Sequence, residues 1–231
     1  MFLELIKGML GVLPSQCLVC RAWPSEALCE ACVNRFAQPQ SRCVRCALPV
    51  PERVVCCGVC LKNPPPLDAC LAAVAYGYPW SDMVVDYKFN HWVGRASAFG
   101  LLMHSTPWVD PALEAADWVL PMPLSPQRLK SRGFNQALVL AQHIAPKKTN
   151  NTLLLRIKDT PPQSTLNRSE RLISVKDAFA VDPLHFDKIK GARLVLVDDV
   201  MTSGASLFSA ATVLRAAGAA HITGLVLART E

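Results

Sequence analysis

The chain has 231 residues, 51% of them apolar, and a formal net charge of +6. That length suits one medium α/β domain plus a small module, and half-apolar composition supports a real core. No apolar run is long enough to span a bilayer, which excludes an integral membrane protein built on transmembrane helices.

Leu3, Ile6, Leu10 and Leu13 recur at helical spacing near the start, interrupted by Glu4 and Lys7, with no small-residue cleavage site after them. This predicts a helix that packs on the body rather than a signal peptide.

All ten cysteines lie between Cys17 and Cys70. Four Cys-x-x-Cys units follow one another: Cys17/Cys20, Cys29/Cys32, Cys43/Cys46 and Cys57/Cys60. Two thiolates two residues apart bind one ion from a tight turn, and two such units complete a tetrahedral site, so eight ligands predict two structural zinc ions. Short spacers favour sequential pairing, although a crossed pairing of the middle units fits the spacing too. Cys56 competes with Cys57; the turn glycine of Cys57-Gly58-Val59-Cys60 favours Cys57. Cys70 reads as a small apolar residue. Paired thiols without a secretion signal point to a reducing, cytoplasmic compartment.

Residues 1–70 carry seven Lys or Arg and five Asp or Glu. Two four-thiolate zinc sites would each add a formal −2 to that module, making it a scaffold or protein contact more than a phosphate-binding surface. Pro64-Pro65-Pro66 is a stiff spacer and marks the expected boundary between a Cys-rich, zinc-ribbon-like module at 1–66 and a larger domain at 67–231.

Beyond it, apolar patterns alternate. Strands are expected at Ala72–Tyr78, Asp117–Leu120, Thr152–Ile157, Arg193–Asp198 and His221–Ala228. Helices are expected at Ser81–Phe89, Val93–His104, Gly133–Ile144 and Ala205–Ala217, the last ended by Gly218, and Gln163–Val175 reads as either helical or mobile. This order predicts a mostly parallel sheet flanked by helices. Residues 121–176 hold ten Lys or Arg against Asp159 and Glu170, a net +8 that exceeds the charge of the whole chain and implies an anionic ligand or partner.

The most informative stretch is Leu194-Val195-Leu196-Val197-Asp198-Asp199-Val200-Met201-Thr202-Ser203-Gly204-Ala205-Ser206. A buried strand ends in two carboxylates, at the rim where open α/β sheets bind ligands. Paired carboxylates there accept hydrogen bonds from adjacent ribose hydroxyls. The small turn Thr202–Ser206 leaves room for backbone N–H groups to surround a phosphate, at the N-terminus of a following helix.

This pattern resembles the phosphoribosyl-pyrophosphate (PRPP) signature of type I phosphoribosyltransferases. The resemblance implies that Asp198 and Asp199 hold the ribose and that Thr202, Ser203, Gly204, Ala205 and Ser206 hold its 5′-phosphate, with Mg2+ accompanying the pyrophosphate. Further landmarks are Tyr87-Lys88-Phe89, Pro121 with Pro123, Arg132-Gly133-Phe134-Asn135-Gln136, and Gln163, Arg168, Arg171, Ala178 and Phe179. In this order behind a Cys-x-x-Cys module they are similar to the ComF family of competence-associated, phosphoribosyltransferase-like proteins, which includes the GntX type.

That resemblance implies a phosphoribosyltransferase-like α/β fold and a role in natural transformation, with single-stranded DNA and proteins of the competence machinery as partners. Lys88, Arg132, Asn135 and Lys158 are candidates for the pyrophosphate or another anion, Arg132 and Asn135 at the start of a helix. Residues Lys158–Lys176 are polar and basic and could close over the ligand. Two other readings remain at this stage: an active phosphoribosyltransferase on an unknown acceptor, and a zinc-dependent interaction protein whose pocket senses a ligand.

Overall fold

A computed structural model describes residues 15–89, 93–158 and 177–231. The expected N-terminal helix, the segment over 163–175 and nearly all of the proposed closing segment lie outside the described residues.

The chain divides into two compact units, one ending at Gln38 and one beginning at Pro39. The first unit contains a knuckle around Cys17 and Cys20 and then helix α1 (Glu30–Phe36), whose N-cap is Cys29. The second repeats that plan: a knuckle at Cys43 and Cys46, then α2 (Gly58–Lys62), whose N-cap is Cys57. The division does not fall at the expected boundary after residue 66. Cys43, Cys46, Ala47 and Cys60 share one buried core with Leu67, Cys70 and the sheet, so the second cysteine segment packs as part of the α/β body.

The body continues through β1 (Ala69–Ala75), α3 (Trp80–Phe89), α4 (Ala96–His104), α5 (Val109–Ala115), β2 (Trp118–Pro121), α6 (Pro126–Arg132), α7 (Gln136–Ile144), β3 (Leu154–Arg156), β4 (Phe179–Val181), β5 (Arg193–Met201), α8 (Ala205–Ala216) and β6 (His221–Arg229). Four strands form a wholly parallel sheet in the order β1-β6-β5-β2. β3 and β4 pair separately as an antiparallel ribbon.

β5 and β6 occupy the centre, where both faces are covered, and this is why they read as almost continuous apolar runs. Side chains alternate between faces. Leu194 and Leu196 of β5 and Ile222 and Val226 of β6 join the core formed with α8 and the second cysteine segment. Val195, Val197, Leu225 and Leu227 are equally buried but stand outside that cluster. At the start of β6, Asp68 accepts from the Ile222 N–H (2.7 Å) and from Arg215, tying the entry to β1 to β6 and α8. Burial opposes ionisation of Asp68, but these donors outweigh it and hold its carboxyl below the usual range.

Several expected elements shift. β1 begins three residues earlier, because Cys70 and Leu71 already pair with β6 while Gly77–Pro79 turns into α3. The helix expected over 133–144 begins three residues later, as α7 after Asn135, and a helix that was not expected, α6, precedes it, ending at Arg132 with Gly133 as its cap at φ 75°. Helix α5 follows Trp108, which adopts φ 71°. Strand β4 is only three residues long, too short to show a period.

Candidate functional site

Among the described residues the eight expected cysteines form two groups, Cys17/Cys20/Cys29/Cys32 and Cys43/Cys46/Cys57/Cys60, so pairing is sequential. Within each group the sulfur atoms lie within 4.8 Å of one another. A tetrahedral site of zinc and four sulfurs, with bonds of about 2.3 Å, requires sulfurs about 3.8 Å apart. The Cys20–Cys29 and Cys46–Cys57 separations of 3.6 and 3.7 Å meet that requirement.

The two sites are built alike. The Cys29 N–H donates to Cys17 Sγ (3.4 Å), and the Cys57 N–H donates to Cys43 Sγ (3.3 Å). Burial opposes ionisation of Cys17 and Cys43, yet the surrounding backbone N–H groups prevail and bring each thiol down to about 6. Burial and the neighbouring thiols push Cys32 up to about 12. Cys46 rises to about 11, chiefly through burial. A thiolate set of this kind, with four sulfurs and no open position, fits a structural zinc ion. Cys56 stands outside the second group, its sulfur 3.8 Å from Cys43 Sγ. Cys70 is buried among apolar side chains, and burial raises its thiol to about 12.

Asp198 and Asp199 occupy the C-terminal part of β5, at the expected rim. Asp199 is buried and its Oδ1 lies 2.8 Å from Lys88 Nζ, near the end of α3. Burial and the Asp199 charge push the Asp198 carboxyl up to about 7, despite opposing help from Lys88, its Asp199 N–H bond and Arg132. Lys88 and Arg132 therefore both act on the acidic pair.

Neighbouring aromatic packing fixes Lys88. Tyr87 is buried, donates to the Gln136 carbonyl (3.0 Å), and meets Phe99 and Phe134 edge-on at 5.4 and 5.5 Å. Burial, then the Asp199 charge, raises its phenol above the usual range.

Arg132 lies at the end of α6, not at the start of a helix as expected. Its Nη1 donates to Gln136 Oε1 (3.0 Å) and its guanidinium stands 5.3 Å from the centre of the half-exposed Phe89 ring. Asn135 caps α7 through Leu138 N–H (3.2 Å), and its Nδ2 donates to the Met122 carbonyl (3.1 Å). It thereby braces the Pro121-Met122-Pro123 loop beside β5, where the Met122 N–H meets the Val197 carbonyl (2.8 Å). Lys158 is exposed and stands 3.8 Å from Asp177, on the ribbon side, rather than among these groups.

The small turn follows directly. Thr202 and Ser203 are half-buried, and Gly204 takes φ 80° as the N-cap of α8. An added Cβ there would come within 2.5 Å of Met201 Cε and 2.6 Å of Phe208 Cζ, so only glycine fits without displacement. Ser203 Oγ accepts from the Ala205 N–H (3.3 Å). A twelve-residue helix thus points its N-terminus toward the end of the strand that carries the acids.

Two further residues carry this arrangement. Gln136 is 1% exposed and supports Arg132; its Nε2 has no hydrogen-bond partner among the described residues. Arg229 is buried at the end of β6. A charged residue directly after the apolar run Leu225–Ala228 was the available signal for the latter. A cavity of about 220 Å³ between α5 and the starts of β1, β5 and β6, lined by Trp108, Arg193 and His221, lies at the opposite end of the sheet from the acidic pair.

The chain is 29% identical over 226 residues to the DNA utilization protein YhgH of Salmonella typhimurium, covering 94% of this chain and 98% of that protein. It is 28% identical over 230 residues to Competence protein F of Haemophilus influenzae, covering 96% and 100%. These full-length similarities support the ComF family. Competence protein ComFC of Bacillus subtilis is 32% identical over 113 residues, 48% of this chain and 44% of that protein. No family model matches. The chain has the expected α/β fold with two four-cysteine groups, and no described helix is long and apolar enough to cross a membrane.

Proposed function

We propose that this chain binds a sugar phosphate of the PRPP type at the ends of β5 and α8, and uses that pocket in handling incoming single-stranded DNA during natural transformation in the cytoplasm. The observation that carries the reading is the acidic pair, Asp198 half-buried and Asp199 buried with Lys88 on it, followed at once by a glycine-initiated helix N-terminus. Asp198 and Asp199 would accept hydrogen bonds from the ribose diol, and residues 202–206 would receive the 5′-phosphate. Mg2+ bound with such a ligand would neutralise its pyrophosphate. Lys88 and Arg132 supply the protein's own cations on that side. The relatives named for competence and DNA utilization support the cellular role, and the basic stretch 121–176 supports an electrostatic contact with DNA. Turnover is not part of the proposal, because a fold does not fix its chemistry.

Isothermal titration with PRPP and Mg2+ tests the pocket: wild type binds and Asp199→Ala does not. Equal binding by both, or none by wild type, overturns it. Anisotropy with labelled single strands tests the second half, with affinity falling steeply as salt rises. Transformation by a deletion strain carrying the Asp198/Asp199 double variant connects the pocket to the cell; normal transformation would separate the two.

A further inference from the structure

Arg229 closes β6 and is 4% exposed. Its Nε donates to the Cys46 carbonyl (2.9 Å), on the second cysteine knuckle. Its Nη1 donates to the Met201 carbonyl (3.1 Å) and to the Thr202 carbonyl (2.5 Å), where β5 passes into the small turn. One buried guanidinium therefore holds a metal-ligand turn on one side and the first residues of the sugar-phosphate loop on the other.

Two other contacts follow the same line. The Cys70 N–H donates to the Val44 carbonyl (2.7 Å), joining the knuckle to β1, and Cys70 Sγ lies 3.7 Å from Met201 Sδ. Charge favours the arrangement as well. A metal held by four thiolates is formally dianionic, and Arg229 and half-buried Arg42 both stand close to this cluster; Arg42 donates to the Ala47 carbonyl (3.0 Å). The planar fork of Arg can reach carbonyls on separate segments at once, which a lysine ammonium on a single stem does less well.

We propose that Arg229 is the positioning residue of the 202–206 loop and couples its order to the second cysteine cluster. The inference deepens the pocket reading and rests on it for the loop's ligand, but the coupling is a property of the chain itself. Arg229 acts by fixing where the Met201 and Thr202 carbonyls lie, and hence how the following N–H groups are presented.

The test uses the full-length, zinc-loaded protein and the variants Arg229→Met and Arg229→Lys. Three quantities are read: amide exchange at residues 202–206, the rate at which a chromophoric chelator removes zinc, and the dissociation constant for PRPP with Mg2+. Loss of hydrogen bonds from a charged donor predicts that Arg229→Met exchanges about tenfold faster in the loop, gives up one of two zinc ions about tenfold faster, and binds PRPP about tenfold more weakly. Exchange in α7 stays at the wild-type rate, which separates this role from general destabilisation. Arg229→Lys falls between the two, and it carries the comparison should the methionine variant fail to fold. Wild-type loop exchange in the lysine and methionine variants, or unchanged zinc release, overturns the coupling. A wild type that ignores PRPP while the variants loosen both loop and cluster overturns the pocket reading and upholds the coupling.

Discussion

Lys88 Nζ lies 2.8 Å from Asp199 Oδ1, and both side chains are largely withdrawn from water. The pair joins the end of α3 to the rim of β5. An isolated buried carboxylate is expensive, so the lysine makes the acidic rim tolerable in the folded chain. Removing the lysine alone therefore costs more than removing both charges. Lys88→Met should destabilise the protein by about 3 kcal/mol, and Lys88→Met/Asp199→Asn should recover most of that loss. Urea unfolding of the double-mutant cycle measures it; additive losses would show that the pair is uncoupled.

Asp198 gives opposite pH trends for stability and binding. Its folded-state value is raised from 3.8 to about 7 by burial and by Asp199. Between about pH 4 and 7 the folded state holds a proton that the unfolded state has released, so this group's contribution to stability falls as pH rises through that window. Ribose hydroxyls need the ionised acceptor, so PRPP affinity should rise through pH 7. Asp198→Asn should flatten both profiles, raising Tm relative to wild type at pH 8 more than at pH 5. Thermal scans and titrations at those two pH values check it.

Gly204 is conformationally required. Gly204→Ala puts a side chain at φ 80° against Met201 and Phe208, and should cost about 1–2 kcal/mol. It should also weaken sugar-phosphate binding more than Gly94→Ala, whose added Cβ meets nothing within 4 Å. Equal effects of the two would remove the loop's special role.

The cysteine clusters predict a metal stoichiometry. Purified protein should carry two zinc ions. Cys56→Ser should keep both, because Cys56 lies outside the second group, whereas Cys57→Ser should lose one. Elemental analysis of the three proteins decides this, and loss of metal from Cys56→Ser would reassign the ligand.

Asn135→Ala should cost about 1 kcal/mol as a lost helix cap. Its effect should reach further, because the same amide holds the Met122 carbonyl. Faster amide exchange at Met122, whose N–H meets Val197, reports that second role; unchanged exchange there would confine Asn135 to capping.

Much of this was legible in the chain. β5 and β6 are buried on both faces, and burial of that kind writes a continuous apolar run into the sequence. The Cys-x-x-Cys spacing named eight ligands because a tetrahedral thiolate site imposes a local spacing on each half. The acidic pair and small turn were legible for the same reason: strand end, carboxylates and glycine-started helix are contiguous. Arg132-Gly133-Phe134-Asn135-Gln136 was visible as a motif, but the helix α6 that stops at Gly133 was not, because Pro126–Arg132 is mostly polar and buries no side chain.

Relations between distant residues were decided only in three dimensions. Sequence spacing left the cysteine pairing open; the fold brings Cys43 and Cys46 to Cys57 and Cys60. Nothing local to Lys88 names Asp199 as its partner, and nothing local to Arg229 names Cys46, Met201 and Thr202. The expected boundary at residue 66 reflected a proline run, whereas the compact units divide where packing divides, between Gln38 and Pro39. Sequence by itself determined the elements whose chemistry is contiguous: the strands buried on both faces, the metal half-sites and the acidic turn. Tertiary structure alone decided which charges meet, because burial and electrostatic pairing depend on distance in space, and a single chain fixes that distance only once its sheet and helices have packed together.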